Sequence, residues 1–158
     1  MRLSTKGRYA VMAMVDLAKF SNGSPVALSE IAERQEISLS YLEQLFAKLR
    51  RADLVSSVRG PGGGYVLARA ADDTRIADII LAVDEPIRAT RCSQGSAAGC
   101  TGNKGRCVTH DLWEELSNLI HLFFNSITLA DVVDRRVLGK SGVIHQLQHA
   151  VATDAAAD

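Results

Sequence analysis

The apolar residues follow a helical period over most of the chain, with one short interval that has the period of strands. Ser4 can cap a helix that runs to about Phe20 and has a wide apolar face, so we expect it at the centre of the fold. A turn over residues 21–25 ends this helix, and residues 26–28 can form a short strand. Two shorter helices are predicted next, one opened by Ser29 and one from Ser40 to about Ala52.

This pair of short helices is typical of a helix-turn-helix, although other amphipathic helix pairs share the pattern. A tight turn over residues 36–38 joins them, and Ser40 with Glu43 fits a capping box at the start of the second helix. In a helix-turn-helix the second helix enters the DNA major groove and presents its N-terminal residues to base edges. The candidate base-contacting residues are Ser38, Ser40, Tyr41, Glu43 and Gln44.

The next interval predicts a β-hairpin and therefore a winged helix-turn-helix. Strand-like residues 54–59 and 65–67 flank the glycine-rich segment 60–64. A phosphate-binding loop is the other interpretation of these glycines, but no P-loop lysine follows and the next element is a strand. The hairpin would carry Arg59 towards a minor groove. Lys6 and Arg8, beside the start of the first helix, could contact phosphates or could simply be solvated charges.

The second half of the chain predicts three further helices. They cover residues 75–83, Thr109 to about Ser126, and Thr128 to about Arg136. The long middle one has two apolar stripes, one that can cover its own domain and one that can meet a partner, as in a two-fold dimer. The expected class is mainly α, with the winged helix-turn-helix over 1–70, a linker helix, loop (92–110) and dimerisation helices over 71–136, and a mobile tail over 137–158.

All three cysteines lie in one polar, glycine-rich segment within sixteen residues. Cys92, Cys100 and Cys107 are followed by His110, with the spacing C-x7-C-x6-C-x2-H. Three thiolates and an imidazole are a ligand set for zinc or for an iron–sulfur cluster, and the spacing alone does not choose between them. Three unliganded thiols in a loop are the other interpretation, but scattered cysteines would not fall so close together.

The uneven distribution of charge points towards a polyanionic partner for the basic first half of the chain. The formal net charge is zero, yet residues 1–70 have ten Lys/Arg against six Asp/Glu, a balance of +4, and residues 71–158 have eight against twelve, a balance of −4. We find no signal peptide or membrane-spanning run, and an odd cysteine count favours the reducing cytoplasm. No nucleophile has a histidine at a hydrolase-like spacing, and an electron carrier would leave the winged helix without a role.

Three motifs together resemble those of the IscR-type iron–sulfur cluster regulators. They are MRLSTKGRYAV at the start, ISLSYLEQLFAKLR in the second short helix, and VSSVRGPGGGY in the wing. The resemblance runs from Met1 to about Val133, and the cysteine segment lies where this family has its own. The two gaps between the cysteines are longer here, by three residues in total, than in the best-known members.

The resemblance implies a homodimeric transcription factor, chiefly a repressor of iron–sulfur cluster assembly genes, that binds a double-stranded operator. It also implies a [2Fe–2S] cluster, held by Cys92, Cys100, Cys107 and His110 and delivered by cluster donor proteins. Cluster-bound and cluster-free forms would prefer different operators, with Glu43 discriminating between them. A sister branch senses nitric oxide through a [4Fe–4S] cluster with an acidic ligand from the first helix. This chain has Arg8 there and no acid before Asp16, which disfavours that branch.

Overall fold

The structure is a computed structural model that describes residues 4–90, 100 and 105–141. Cys92, most of the loop over 92–110 and the tail beyond residue 141 lie outside the described residues. The described elements are six α-helices, one antiparallel hairpin and a 3-10 turn: α1 Thr5–Phe20, α2 Leu28–Gln35, α3 Leu39–Arg51, β1 Val55–Val58, β2 Gly64–Leu67, the turn Ala71–Asp73, α4 Ile76–Ala82, α5 His110–Ser126 and α6 Leu129–Val133. The mainly helical winged fold predicted from the sequence is confirmed.

Helix α1 lies at the centre, as its wide apolar face predicts. Ser4 caps it by accepting a hydrogen bond from the Lys6 backbone N–H at 3.2 Å. Ala13, Met14 and Leu17 are fully buried. The helix contacts α2, α3, α4, α6 and β2. A single, largely aliphatic core therefore supports both the helix-turn-helix and the helices that follow the wing.

The helix-turn-helix consists of α2, a turn and α3. Glu36 has a positive φ of 54°, and this left-handed residue reverses the chain after α2. Two predicted helix starts were wrong by one or two residues. Helix α2 begins at Leu28, where the Glu30 carboxylate accepts from the Ala27 N–H at 3.0 Å, and α3 begins at Leu39 with Ser38 as its N-cap residue.

The predicted capping box of Ser40 and Glu43 is therefore wrong. Both residues lie inside α3, and the N3 position, from which a side chain can reach back to the cap, belongs to Tyr41. Ser38 and Ser40 are equally good cap residues by type. The buried positions Leu42, Leu45 and Leu49 determine which face of the helix points to the core. This pattern is the same whether the helix is capped by Ser38 or by Ser40.

The wing is an antiparallel hairpin in which Val55 pairs with Leu67 and Val58 with Gly64. The predicted strand at residues 26–28 is reduced to one bridge, in which Val26 and Tyr65 exchange two backbone hydrogen bonds of 2.9 Å. The Tyr65 ring contacts the buried Phe46 ring of α3 edge-on, with centroids 4.8 Å apart. These contacts fix the wing against the helix-turn-helix.

The later helices return to α1. Ile76 donates its N–H to the Ile127 carbonyl at 3.0 Å, and Leu129 donates to Thr74 at 2.8 Å, so the starts of α4 and α6 are joined. Helix α6 ends at Val133, earlier than predicted, and Arg135 follows with a positive φ of 58°. Among the described helices, none combines the length and apolar character needed to cross a membrane.

Candidate functional site

The described part of the cysteine segment brings three potential metal ligands together at the start of α5. The ligand atoms of Cys100, Cys107 and His110 all lie within 4.8 Å of one another. His110 Nδ1 lies 3.2 Å from Cys100 Sγ. His110 is 4% exposed, whereas both cysteines are half-buried. The site is therefore closed on the protein side by the imidazole.

Backbone hydrogen bonds hold this arrangement in place. Cys100 donates its N–H to the Gly105 carbonyl at 3.2 Å, and Cys107 donates its N–H to Cys100 Sγ at 2.9 Å. His110 donates its N–H to the Cys107 carbonyl at 3.0 Å, as α5 begins. The Cys107 N–H and the His110 ring therefore both reach the sulfur of Cys100 and fix its position among the potential ligands.

The other ring nitrogen of His110 faces Glu114, an acid that was not among the predicted site residues. Glu114 Oε2 lies 3.1 Å from His110 Nε2, one helical turn further along α5. Although the two atoms are close, they are not aligned for a hydrogen bond, and within the described residues Nε2 has no hydrogen-bond partner. Arg106 Nη2 lies 3.4 Å from the same carboxylate oxygen. Residues four apart on a helix are neighbours, so the sequence held a signal for this contact.

The donor set fits a soft or borderline metal centre. Two sulfur atoms and an imidazole nitrogen converge, and such ligands suit zinc or iron–sulfur clusters rather than magnesium or calcium. Cys92, the remaining predicted ligand, lies outside the described residues. Cys100, Cys107 and His110 can therefore bind a metal, and the kind of centre does not follow from them alone.

Four of the five candidate base-contacting residues are exposed on α3 or at its cap: Ser38, Ser40, Glu43 and Gln44. Tyr41 is half-buried, and its ring meets the Tyr9 ring edge-on with centroids 6.1 Å apart. Its ring therefore packs between α3 and α1. The four exposed candidates present two hydroxyls, one carboxylate and one amide to solvent.

The three predicted cations lie at two edges of the helix-turn-helix. Arg59 is exposed and follows β1 at the tip of the wing. Lys6 and Arg8 lie in the first turn of α1, where Lys6 is half-buried and Arg8 is exposed.

Residues 84–90 connect α4 to the cysteine segment and contact both α3 and the start of α1, which the sequence did not predict. Lys48 Nζ of α3 lies 2.6 Å from Asp84 Oδ2, and this hydrogen-bonded ammonium group lowers the pKa of the Asp84 carboxyl. The Glu85 carboxylate accepts from the Ser4 backbone N–H at 3.1 Å and from the Ser4 hydroxyl. At the far end, the Ala89 N–H donates to Ser117 Oγ of α5 at 3.0 Å.

A winged helix-turn-helix beside a group of cysteine and histidine side chains that can bind a metal defines a class of protein, the metal-responsive DNA-binding regulators. The family comparison agrees with this class. The chain belongs to the Rrf2 family, described as iron-dependent transcriptional regulators, whose sequence pattern matches residues 3–135. This is a family of transcriptional regulators and not of enzymes.

Similar proteins and solved structures support the same family of transcriptional regulators. The chain is 57% identical over 136 residues to the HTH-type transcriptional regulator IscR of Erwinia tasmaniensis, covering 86% of this chain and 81% of that one. It is 54% identical over 146 residues to IscR of Escherichia coli, covering 92% and 88%. The solved structure of T. potens IscR matches with a TM-score of 0.70 and 41% identity, covering 86% and 88%. CymR, the global cysteine regulator of B. subtilis, matches with a TM-score of 0.69 and 34% identity, covering 85% and 98%.

Proposed function

We propose that the chain is a repressor of iron–sulfur cluster assembly genes that senses cluster supply through its own [2Fe–2S] cluster. Cys92, Cys100, Cys107 and His110 would be the ligands. The observation that carries the proposal is the convergence of two thiols and a buried imidazole beside a winged helix-turn-helix. The relatives named IscR add support. Binding of a cluster by these residues would tie the loop to α5, and the imidazole would make this ligand set less robust than four thiolates.

The protein would bind a double-stranded operator through α3 and the wing. Ser38, Ser40, Glu43 and Gln44 are exposed where α3 would enter the major groove. Arg59 would reach the minor groove from the wing, and Lys6 and Arg8 would contact phosphates. Tyr41 would act mainly by fixing α3 against α1, because its ring packs on Tyr9.

A homodimer would form through α5. Leu112, Leu119 and Leu122 are each more than half exposed, whereas Ile120 and Phe124 pack on the core of their own protomer. An exposed apolar stripe on a long helix favours pairing with a second copy. Two-fold pairing would also place two recognition helices for successive major grooves.

Residues 84–90 supply a direct connection between the metal site and the DNA-facing helices. The Ser117 hydroxyl, which accepts from Ala89, donates to the Trp113 carbonyl at 2.7 Å in the helix that begins with His110. At the other end of the connection, Asp84 and Glu85 bind Lys48 and Ser4. A shift of α5 on cluster loss would therefore reach the end of α3 and the start of α1.

Operator binding by the two forms of the protein tests this function. We expect cluster-loaded protein, prepared without oxygen, to bind the promoter of the assembly genes about 5- to 150-fold more tightly than cluster-free protein, the usual range of such coupling. Cys100→Ala should bind like the cluster-free form, and a random fragment of equal length is the control. Equal binding by both forms to every fragment contradicts cluster sensing. If nitric oxide, rather than cluster loss, releases the DNA, the chain functions like the sister branch.

A further inference from the structure

The two nitrogens of the His110 ring face chemically different neighbours. Nδ1 lies 3.2 Å from Cys100 Sγ, on the side where the two thiols converge. Nε2 lies 3.1 Å from Glu114 Oε2, on the side away from them. Both side chains are nearly buried, with 5% of His110 and 13% of Glu114 exposed. The ring therefore separates a sulfur environment from a carboxylate environment.

This orientation assigns a task to each nitrogen. A neutral imidazole carries one proton, and the nitrogen that binds a metal must be the one without it. Because Nδ1 faces the thiols, the proton belongs on Nε2. A buried N–H without an acceptor is costly, and Nε2 has no aligned acceptor among the described residues. The Glu114 carboxylate is near enough to become that acceptor after a small rotation about its terminal torsion, which has a broad energy minimum.

We infer that Glu114 is a positioning residue for the metal centre: its carboxylate accepts the hydrogen bond from His110 Nε2–H and so keeps Nδ1 unprotonated and aimed at the thiols. A metal-binding histidine commonly donates its second N–H to a carboxylate in this way, which fixes the ring and makes the ligand more basic. Any effect of Glu114 on a bound metal rests on the proposed function. The position of the proton on the His110 ring, in contrast, can be measured in the protein without a metal.

The neighbouring charges favour Glu114 over the other acid in reach. Asp111 belongs to the same cluster of potential ligands, but its side chain is 88% exposed and its carboxylate faces Arg106 at 3.4 Å. Arg106 also lies 3.4 Å from Glu114 Oε2, so the guanidinium restrains the carboxylate next to the imidazole. A hydrogen bond to the less hydrated acid is the stronger of the two, because water competes less for it.

Nitrogen NMR of histidine-labelled, cluster-free protein tests the tautomer directly. At a pH of about 8, where an ordinary imidazole is neutral, we expect the His110 signals of Nε2–H with an unprotonated Nδ1. Glu114→Gln should keep this pattern, because the amide oxygen still accepts. Glu114→Leu should lose it and give a mixture of tautomers. Glu115→Leu removes an acid from an exposed position on the same helix and should leave the pattern unchanged.

The rate of cluster loss in air provides the second readout. Loss of the hydrogen-bond partner of a histidine ligand typically lowers metal affinity or activity by about 10- to 100-fold. Glu114→Leu should therefore lose its cluster faster than wild type by about that factor. Glu115→Leu should lose it at the wild-type rate. A proton on His110 Nδ1 in the wild-type protein would by itself overturn the inference. An unchanged tautomer and cluster lifetime in Glu114→Leu would overturn it as well. If wild-type protein takes up no cluster, the proposed function fails, and the tautomer still decides the role of Glu114.

Discussion

Asp131 binds three different donor residues around the start of α6 through its carboxylate. It accepts from the Thr128 N–H at 3.0 Å, and its own N–H donates to Thr128 Oγ1 at 3.0 Å. Arg136 Nε lies 3.4 Å away, and Lys140 Nζ binds the second oxygen. These donors, with Lys140 contributing most, hold the pKa of the Asp131 carboxyl well below its ordinary value. One side chain thus ties the start of α6 to the segment that follows it.

We predict that Asp131→Asn lowers Tm by several degrees at pH 7, because the ion pairs are lost while the cap is partly kept. A depressed pKa in the folded state stabilises the protein above the ordinary carboxyl pKa, near about 4, and the contribution is lost as the pH falls towards the lower folded value. The difference in Tm should therefore narrow between about pH 4 and pH 3. Asp134→Asn, at an exposed neighbour, is the control, and a difference independent of pH would contradict this account.

Glu43 could either cap the start of α3 or face DNA, and the structure does not support the capping role. As part of a capping box it would only hold the helix start, but α3 begins at Leu39, so Glu43 lies beyond the first turn and is exposed. A carboxylate facing DNA is unfavourable unless it meets a donor such as cytosine N4. If α3 enters the major groove as proposed, Glu43 would reject most sequences and accept a few.

Glu43→Ala should therefore let cluster-free protein bind operators that otherwise require the cluster, with a gain of about 1–3 kcal/mol. The measurement is the affinity of cluster-free protein for such an operator, with Glu33→Ala on α2 as the matched loss of an exposed acid. An unchanged affinity would remove Glu43 from the discriminating residues.

At the scale of elements, the wing depends on how closely its second strand approaches the residues before α2. A Cβ on Gly64 would lie 2.3 Å from the Val26 carbonyl oxygen and 2.9 Å from the Ala27 nitrogen, both backbone atoms. Only glycine leaves room for the two hydrogen bonds between Val26 and Tyr65.

Gly64→Ala should destabilise the protein by about 1–3 kcal/mol, because backbone must shift to admit the methyl group. It should also weaken operator binding, since the wing would lose its fixed position. Denaturant unfolding and gel-shift titration measure the two effects. Pro61→Ala changes the exposed turn of the same hairpin and should alter stability much less. Equal stability of the two variants would show that the wing adapts.

Arg59 in the wing and Lys6 in α1 are expected to make different kinds of contact with DNA. Arg59→Ala should cost about 1–3 kcal/mol on the operator and little on random DNA, if Arg59 enters a groove. Lys6→Ala should weaken both DNAs alike and lower the salt slope by about one, as expected for a phosphate contact. Gel-shift titrations at several salt concentrations separate these outcomes. Equal losses on both DNAs would make Arg59 a phosphate contact as well.

At the scale of the molecule, the sequence predicted the elements better than the contacts between them. The apolar periods of α1, α3 and α5 are long and regular, so these helices were predicted to within about two residues. The hairpin followed from its glycines. The contact of Ser4 with Glu85 spans 81 residues, and no local spacing signals such a pair. The grouping of Cys100, Cys107 and His110 was predictable because their ligand spacing is local.

The iron and acid-labile sulfide content of protein purified without oxygen tests the central claim most directly, measured for wild type and for a variant with Cys92, Cys100 and Cys107 all changed to Ala. We predict about two irons and two sulfides per wild-type protomer, and neither in the variant, since a [2Fe–2S] centre needs its thiolates. One zinc without sulfide in the wild type, or full iron and sulfide in the variant, would contradict the account.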